Sequence, residues 1–158
     1  MSEIIAPTPR FQALDPDYAN RVRGCFEGQA LMATLGASLS RLEPGFVDLA
    51  FGYRPEFTQQ NGFIHAGVVT ALVDTACGLA AHTLMPAGTD VLSVEFKLNL
   101  LRPAAGARFL ARGRVIKPGN TLLITQGELH AWASSVAADD GHDEGQLVAI
   151  MQATMIRR

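Results

Sequence analysis

The stretch Gly67-Val-Val-Thr-Ala-Leu-Val-Asp-Thr-Ala-Cys-Gly-Leu-Ala-Ala81 decides the fold. It forms the middle of a helix predicted over residues 64–85, and because this helix is apolar nearly all round, we expect it to be buried. Its small residues would let a sheet pack closely against it. Asp74 is the one charged residue in the stretch, and no cation lies one helical turn away. A carboxylate on a core helix is costly unless something specific uses it, so Asp74 is the first candidate catalytic residue.

The sequence on either side of this helix predicts strands. Alternating apolar residues mark them, and the turn Glu43-Pro-Gly45 joins the first pair. The predicted strands are 31–43, 46–53, 93–101, 108–117, 121–134 and 146–157. The other predicted segments are a leader over 1–14, a short helix over 16–28, a polar loop over 54–63 and an acidic loop over 137–145. One apolar helix among antiparallel strands predicts an α+β fold in which a single sheet wraps the helix.

Composition and charge narrow the class of protein. The 158 residues fit one domain, and 48% hydrophobic with 18% charged residues is usual for a globular protein. The net charge of -2 gives no overall attraction to nucleic acid or to an anionic membrane. Cys25 and Cys77 form neither a metal motif nor a disulfide framework, and the histidines lack ligand spacing, so no metal is expected. With no signal peptide and no apolar run of about 18 residues, the expected location is the cytoplasm.

A polar motif leads into the helix and carries a family resemblance. Gln59-x-x-Gly62-x-x-His65-Ala66-Gly67, followed by Asp74, resembles the signature of hotdog-fold acyl-CoA thioesterases, nearest to the PaaI-like group related to 4-hydroxybenzoyl-CoA thioesterases. Supporting matches are Ser93-Val-Glu-Phe, Leu101-Arg-Pro-Ala104 and Lys117-Pro-Gly-Asn120-Thr-Leu. The resemblance covers roughly residues 30–157. It implies a hotdog fold, a curved antiparallel sheet wrapped around one long central helix. Residues 1–30 would be a leader with a short helix, and residues 31–158 a single hotdog thioesterase domain.

The resemblance also implies roles for individual residues. In the family an Asn or Gln stands six residues before the histidine and an acid nine residues after it, and these are Gln59 and Asp74 here. Ser93 matches the residue that helps to place the attacking water. The family's usual His-Gly-Gly is His65-Ala66-Gly67 in this chain. Alanine keeps the backbone N–H through which the middle residue acts.

The chemistry of thioester hydrolysis fits the same residues. It needs a polarised carbonyl and an activated water or a nucleophile. The N–H groups of Ala66 and Gly67 at the helix N-terminus would stabilise a developing oxyanion. Asp74 would act as general base or as nucleophile, and the sequence leaves this choice open. Gln59 would orient the water or the carbonyl, and His65 would organise the loop through a hydrogen bond.

The spacing on the helix predicts assembly. Ala66 and Asp74 are eight residues apart, which corresponds to about 12 Å along a helix axis. One carbonyl carbon cannot readily meet both from the same helix, whereas two antiparallel helices at a dimer interface would bring them together. A single sheet around one helix also leaves a face to cover. We therefore expect a homo-oligomer, either a dimer or a dimer of dimers, in which Asp74 of one subunit serves the oxyanion site of the other.

An acyl-CoA substrate also needs a place for its phosphates. Three arginines alternate on the predicted strand 108–117, and the turn that follows offers backbone contacts. The expected contacts of the CoA moiety are Arg112, Arg114, Lys117, Gly119 and Asn120. The alternative is a solvated strand face. CoA is part of the substrate, so no separate cofactor is expected.

Simpler interpretations stay open for several residues. Asp74 could pair with an arginine from another strand, His65 could be structural, and Ser93 could be an ordinary sheet residue. The alternative functions are a non-catalytic acyl-CoA-binding module and a hotdog dehydratase that acts on hydroxyacyl thioesters. The acyl group, aryl or medium- to long-chain aliphatic, depends on pocket shape and is not decided by the sequence.

Overall fold

A computed structural model describes residues 11–134 and 145–158 of the chain. The helices are α1 (Tyr18–Glu27), α2 (Ala30–Leu35) and α3 (Ala66–His82), and a 3₁₀ turn covers Pro55–Phe57. The strands are β1 (Ser38–Glu43), β2 (Phe46–Gly52), β3 (Val91–Leu100), β4 (Arg108–Lys117), β5 (Leu122–Trp132) and β6 (Gln146–Arg157). Residues 1–10 of the predicted leader and 137–144 of the predicted acidic loop lie outside the described residues.

The six strands form one antiparallel sheet in the order β1-β2-β4-β5-β6-β3. Helix α3 packs on one face of this sheet and contacts β2, β3, β4, β5 and β6. Alternate residues of β4 are buried beneath the helix, while the residues between them lie on the other face. The α+β prediction of one sheet packed around one central helix is therefore confirmed.

Helix α3 lies close to the sheet because two glycines face it. Gly113 of β4 and Gly127 of β5 are direct cross-strand partners beneath the helix. A Cβ at Gly113 would overlap the backbone of Ala76, and one at Gly127 would lie 2.7 Å from Cys77 Sγ. Small residues of the helix therefore pack against glycines of the sheet, and this packing allows the short distance between α3 and the strands.

The structure corrects the start of the first predicted strand. Residues 31–35 lie in α2 rather than in a strand, and β1 begins only at Ser38. Met32 and Leu35 are both buried, and their i, i+3 spacing belongs to one face of a helix. Gly36 ends this helix with a φ of 66°, a left-handed conformation that favours glycine.

Helix α3 covers Ala66–His82 rather than the predicted 64–85, and α1 anchors its C-terminal end. The guanidinium of Arg21 donates to the carbonyl oxygens of His82 at 3.2 Å and of Met85 at 2.8 Å. It thereby satisfies acceptors that a helix end leaves open. Arg21 Nε also donates to Asp15 Oδ2 at 2.8 Å, and this hydrogen bond lowers the pKa of the Asp15 carboxyl.

The two edges of the sheet differ in length and in chemistry. β1 is short, has a register shift between Leu39 and Arg41, and exposes the ion pair of Arg41 with Glu43. β3 at the opposite edge is ten residues long and is hydrogen-bonded to β6 on one side. Large apolar side chains are exposed along it, namely Leu92, Val94, Phe96 and Leu100. A long apolar edge of this kind is a ready template for pairing with another chain.

Candidate active site

The predicted motif folds into a tight loop ahead of α3. The N–H of Gln59 donates to the Phe63 carbonyl at 2.9 Å, and the N–H of Gly62 donates to the Gln59 carbonyl at 2.9 Å. Gly62 has a φ of 79°, which explains the need for glycine in the motif. The side-chain oxygen Oε1 of Gln59 accepts from the Asn61 N–H. The loop therefore holds the Gln59 amide in place, and its NH₂ group has no partner among the described residues.

His65 caps the N-terminus of α3. Its backbone is extended, and its ring nitrogen Nδ1 accepts a hydrogen bond from the Gly67 N–H at 2.9 Å. An accepting Nδ1 leaves the ring proton on Nε2. This bond uses one of the two N–H groups that the sequence suggested for an oxyanion. The N–H of Ala66 has no hydrogen-bond partner within residues 11–134 and 145–158, so it is the donor that remains.

Asp74 meets a polar partner on the neighbouring strand. The hydroxyl of Ser93 on β3 donates to Asp74 Oδ1 at 2.7 Å, the usual distance for an O–H···O hydrogen bond. Ser93 Oγ also lies 3.4 Å from Met155 Sδ. Within the described part of the chain, Asp74 has no ion pair, so the alternative of a structural arginine partner finds no support there. The Ser93 bond fixes Oδ1 and leaves Oδ2 for other chemistry.

Within one chain, the predicted site residues form two separate groups. The first lies in a surface cleft of about 490 Å³ in front of α3, which we call the helix-start cleft and which contains Gln59 and Ala66. The second group consists of Asp74 and Ser93, which do not line this cleft. Asp74 is eight residues further along the helix, or about 12 Å. A single chain thus presents the N–H donor and the acid too far apart to act on one carbonyl.

The helix-start cleft has mostly apolar walls. They comprise Gln59, Asn61, Phe63, Ile64, Ala66, Val69, Leu100, Leu101, Arg102, Pro103 and Ala104. The N–H of Ile64 donates to the Ala104 carbonyl at 3.1 Å, which ties the loop before α3 to the turn after β3. Arg102 in this turn is exposed and donates to the Leu147 carbonyl at 2.9 Å. Sequence reasoning did not assign Arg102 to the site, although its position directly after β3 in the Leu101-Arg-Pro-Ala104 match was a signal.

The arginines of the predicted CoA stripe lie on the sheet face that points away from α3. Arg112 and Arg114 line a cleft of about 250 Å³ on that face. Arg114 donates to Gln126 Oε1 at 2.9 Å, and the guanidinium of Arg108 lies 4.0 Å from the centre of the Trp132 ring. This cleft shares no residue with the helix-start cleft.

The turn between β4 and β5 places the remaining predicted CoA contacts together. Lys117 ends β4 and is exposed, and Gly119 and Asn120 follow it in the turn. Gly119 and Asn120 line a cleft of about 390 Å³ that also includes Arg157 from the end of β6. Arg157 has no ion pair within the described residues.

Acids on the outward face of the sheet have partners on the same strand or on a neighbouring one. Glu128 Oε2 lies 3.0 Å from Nε2 of His130, and this hydrogen bond lowers the pKa of the Glu128 carboxyl. Asp48 lies between Arg41 and Arg112 in the sheet register. Burial nevertheless raises the pKa of the Asp48 carboxyl. These acids belong to a network within the sheet, in contrast to Asp74 on its apolar helix.

Other reactive groups in the described ranges offer no second centre. Burial raises the pKa of the Cys77 thiol to about 12, so it is protonated at neutral pH. Across residues 11–134 and 145–158, no group of three or more His, Cys, Asp or Glu side chains is placed to hold a metal ion. No helix in these ranges is long and apolar enough to cross a membrane.

Comparison with known sequences places this geometry in context. The sequence profile of the thioesterase superfamily matches residues 61–137. A protein of Saccharolobus solfataricus that is named only provisionally as an esterase is 31% identical over 104 residues, which cover 66% of this chain and 69% of that protein. The medium/long-chain acyl-CoA thioesterase YigI of Salmonella typhimurium is 27% identical over 111 residues, which cover 61% of this chain and 72% of YigI. Among these and other named relatives, the aligned region covers between 66% and 76% of the relative's own length.

A solved structure extends the likeness to nearly the whole fold. The crystal structure of a thioesterase family protein from Silicibacter pomeroyi superimposes with a TM-score of 0.81 at 45% sequence identity. The superposition covers 89% of this chain and 97% of that protein.

Proposed function

The chain belongs to the thioesterase superfamily, with the hotdog fold that its motif predicted, and from this premise we propose that it hydrolyses an acyl-CoA thioester to the free acid and CoA. The observation that carries the proposal is the Asp74 carboxylate, which lies on an otherwise apolar helix and accepts a hydrogen bond from Ser93. Asp74 is half-buried in the single chain, so a substrate or a second copy of the chain can reach it. The free thiols Cys25 and Cys77 suit the reducing cytoplasm in which we place the protein.

The proposed active site is shared between two copies of the chain. One copy supplies the helix-start cleft, and the other supplies Asp74 with Ser93. The separation of about 12 Å along α3 supports this arrangement, because one chain cannot close it. Small residues on the accessible side of α3, among them Gly67, Ala71 and Gly78, would allow a second helix to approach closely. The protein would then be active as a dimer or as a dimer of dimers.

In the proposed reaction, the thioester oxygen accepts a hydrogen bond from the Ala66 N–H at the positive end of α3. The NH₂ group of Gln59 supplies a second donor nearby. Oδ2 of Asp74 from the other copy takes a proton from water, and the water oxygen attacks the carbonyl carbon. The C–S bond then breaks, and CoA leaves as a thiolate that is protonated.

The same carboxylate could act as nucleophile instead. Attack by Asp74 on the carbonyl carbon would form a mixed anhydride and release CoA thiolate, and water would then cleave the anhydride to regenerate the acid. Ser93 holds Oδ1 in both routes, so it positions the carboxylate and is a positioning residue in either mechanism. A single turnover in ¹⁸O-water separates the general-base route from the nucleophilic route in which water attacks the Asp74 carbon of the anhydride. The general-base route puts the label in the released acid, whereas this nucleophilic route leaves the label in Asp74 and releases an acid that carries an unlabelled Asp74 oxygen.

The CoA moiety is proposed to contact the turn between β4 and β5. Ser93, Met155 and Leu123 are neighbours across β3, β6 and β5. Because strands are about 4.8 Å apart, Leu123 lies about 10 Å from Ser93, and the turn precedes Leu123 by a few residues at the same end of the sheet. Its proposed contacts are Lys117, Gly119 and Asn120, with Arg112 and Arg114 as further candidates.

The apolar walls of the helix-start cleft favour an apolar acyl group, either aryl or medium- to long-chain aliphatic. Thiol release from phenylacetyl-, hydroxybenzoyl-, octanoyl- and palmitoyl-CoA tests the proposal. We expect turnover of at least one ester and its loss in Asp74→Asn, while the matched exposed-acid control Asp17→Asn keeps the wild-type rate. No turnover of any ester, or an unchanged rate in Asp74→Asn, would overturn it.

The same assay identifies the two alternative functions. Tight binding of an acyl-CoA without release of thiol would indicate a binding module. Loss of water from a 3-hydroxyacyl-CoA would indicate a dehydratase. Each of these outcomes counts against hydrolysis.

A further inference from the structure

We propose that Val69 is the floor of the helix-start cleft and that its side chain restricts the acyl group to a compact one, an aroyl or arylacetyl group rather than a long aliphatic chain. This inference deepens the proposed function and rests on it, because it takes the helix-start cleft as the acyl site. It makes Val69 the residue that determines acyl specificity. Val69 lies between the motif ahead of α3 and Asp74, and the motif gives it no role.

The residues that line the helix-start cleft divide into a buried base and an exposed rim. Ile64, Val69 and Ala104 are 3%, 0% and 4% exposed, although all three line the cleft. Leu100 and Leu101 are also part of its walls, but about half of each is exposed. Lining residues that solvent barely reaches lie at the bottom of a cleft. The first three residues therefore form its base.

Hydrogen bonds hold this base in place. The bond from the Ile64 N–H to the Ala104 carbonyl joins the loop before α3 to the turn after β3. Val69 belongs to α3 itself, and its N–H donates to the His65 carbonyl at 3.2 Å. The base does not move away from the cleft unless these hydrogen bonds break. The cleft therefore has a fixed depth, and the Val69 side chain closes it.

The base lies close to the proposed oxyanion donor. Val69 follows Ala66 by three residues, so the two lie on the same side of α3 and about 4.5 Å apart along its axis. A thioester carbonyl that accepts from the Ala66 N–H would place the acyl group directly above the base. A compact group fits into this depth, whereas a long chain has to turn back towards the rim. The rim includes the exposed polar residues Asn61 and Arg102, which give the distal carbons little apolar cover.

An aromatic side chain in the wall favours an aryl group in particular. Phe63 is half-buried and lines the cleft. Its carbonyl accepts the Gln59 N–H at 2.9 Å, which fixes the loop that carries it. Two aromatic rings attract each other in offset or edge-to-face contacts beyond the area that they bury. An acyl ring beside Phe63 gains this contact, and a chain of methylenes does not.

Binding of S-alkyl-CoA thioethers measures the depth of the cleft without any hydrolysis. Each methylene that becomes buried strengthens binding about fourfold. In a series from S-butyl- to S-dodecyl-CoA in single-carbon steps, the affinity measured by calorimetry should rise at first and then level off once the chain meets the floor. A uniform rise through S-dodecyl-CoA, or no rise at all, would overturn the proposal.

Substitutions at Val69 test whether this residue is the floor. Val69→Ala removes methyl groups directly beneath the cleft, so the rise should continue for about one further methylene. Val69→Ile adds a methylene and should end the rise earlier, and it keeps the test intact if the alanine variant does not fold. Val73→Ala is the matched control, because Val73 is also 0% exposed on α3 but packs against Gly127 of β5 and does not line the cleft. A common levelling point in wild type and every variant would rule out Val69 as the floor.

Turnover separates this inference from the proposed function. The wild-type kcat/KM for phenylacetyl-CoA should exceed that for palmitoyl-CoA at least about tenfold, and Val69→Ala should narrow this ratio while Val73→Ala leaves it unchanged. Thioether affinities that level off as expected, without turnover of any acyl-CoA, would count against hydrolysis alone. Turnover that favours palmitoyl-CoA would leave hydrolysis in place and overturn the compact acyl group.

Discussion

The N–H of Ala66 can be removed while α3 keeps its structure, because Ala66 is the first helical residue. Proline suits this position, where the N–H has no partner within the helix. His65 before it has a φ of -62° and a ψ of 140°, the extended conformation that a residue preceding proline adopts. We therefore expect Ala66→Pro to fold with a Tm close to that of wild type. The substitution deletes the proposed oxyanion donor and leaves Asp74 and Ser93 intact.

The expected effect of Ala66→Pro is large and falls on kcat. Removing one oxyanion donor typically lowers kcat by about 10²–10³, or about 3–4 kcal/mol of transition-state stabilisation. The neighbouring Gly67 N–H cannot replace the lost donor, because it is bonded to His65, and the Gln59 NH₂ group would be the one proposed donor left. KM should change little, since the donor acts mainly in the transition state. Thiol release at saturating acyl-CoA measures kcat, and circular dichroism measures the Tm.

Ala66→Gly is the matched control for this experiment. It keeps the backbone N–H and creates the His-Gly-Gly sequence that is usual in the family. Its kcat should stay near the wild-type value. A folded Ala66→Pro variant with the wild-type kcat would refute the assignment of this N–H to the oxyanion, whereas equal losses in both variants would point to the side chain instead.

Three further predictions address assembly, packing and pH. Mixing Asp74→Asn with Ala66→Pro subunits should restore about a quarter of the wild-type rate, because half of the dimers are mixed and each has one intact site of two; no recovery after exchange would place both residues in one subunit. Gly113→Ala should lower the free energy of unfolding by about 2 kcal/mol or more in a urea titration, since its Cβ would overlap the backbone of α3, whereas Gly24→Ala has open space and should not. Burial lowers the pKa of His82 in the folded chain below its usual value of 6.5. The unfolded chain therefore binds more protons at mildly acidic pH, and stability is lost as the pH falls below 6.5. Urea midpoints at neutral and mildly acidic pH should show this fall in wild type, and an equal fall in His82→Leu would exclude His82 as its cause.

Segments with uninterrupted periodicity could be predicted from the sequence. β4 and β6 cover the residues expected for them, 108–117 and 146–157. Apolar residues recur on one face of β4, and β6 is a largely apolar run that follows the acidic loop. α2 could not be predicted in this way. It is only six residues long and ends at Gly36. Leu35, Ala37 and Leu39 lie on both sides of this end, and their alternate spacing is the pattern expected of a strand. Short helices contain too few turns to reveal their period.

Candidate site residues could be proposed from the sequence, whereas the contacts between them could not. Spacing within one segment made His65 and Asp74 candidates, since both belong to a continuous motif. The bond from Gly67 to His65 depends on the ring conformation of the cap, which no sequence pattern shows. The contact between Ser93 and Asp74 joins residues far apart in the chain and depends on the packing of α3 against β3. Tertiary geometry therefore decides which donors are free and which acid oxygen is available.

The register shift in β1 has a consequence for how far association can proceed. β1 is short and irregular and carries the Arg41–Glu43 ion pair, features that discourage the addition of another strand. The long apolar strand β3 lies at the opposite edge of the same sheet. Because β1 does not favour pairing, the sheet is not a template for extension from both edges, and strand-by-strand growth into a fibre is disfavoured.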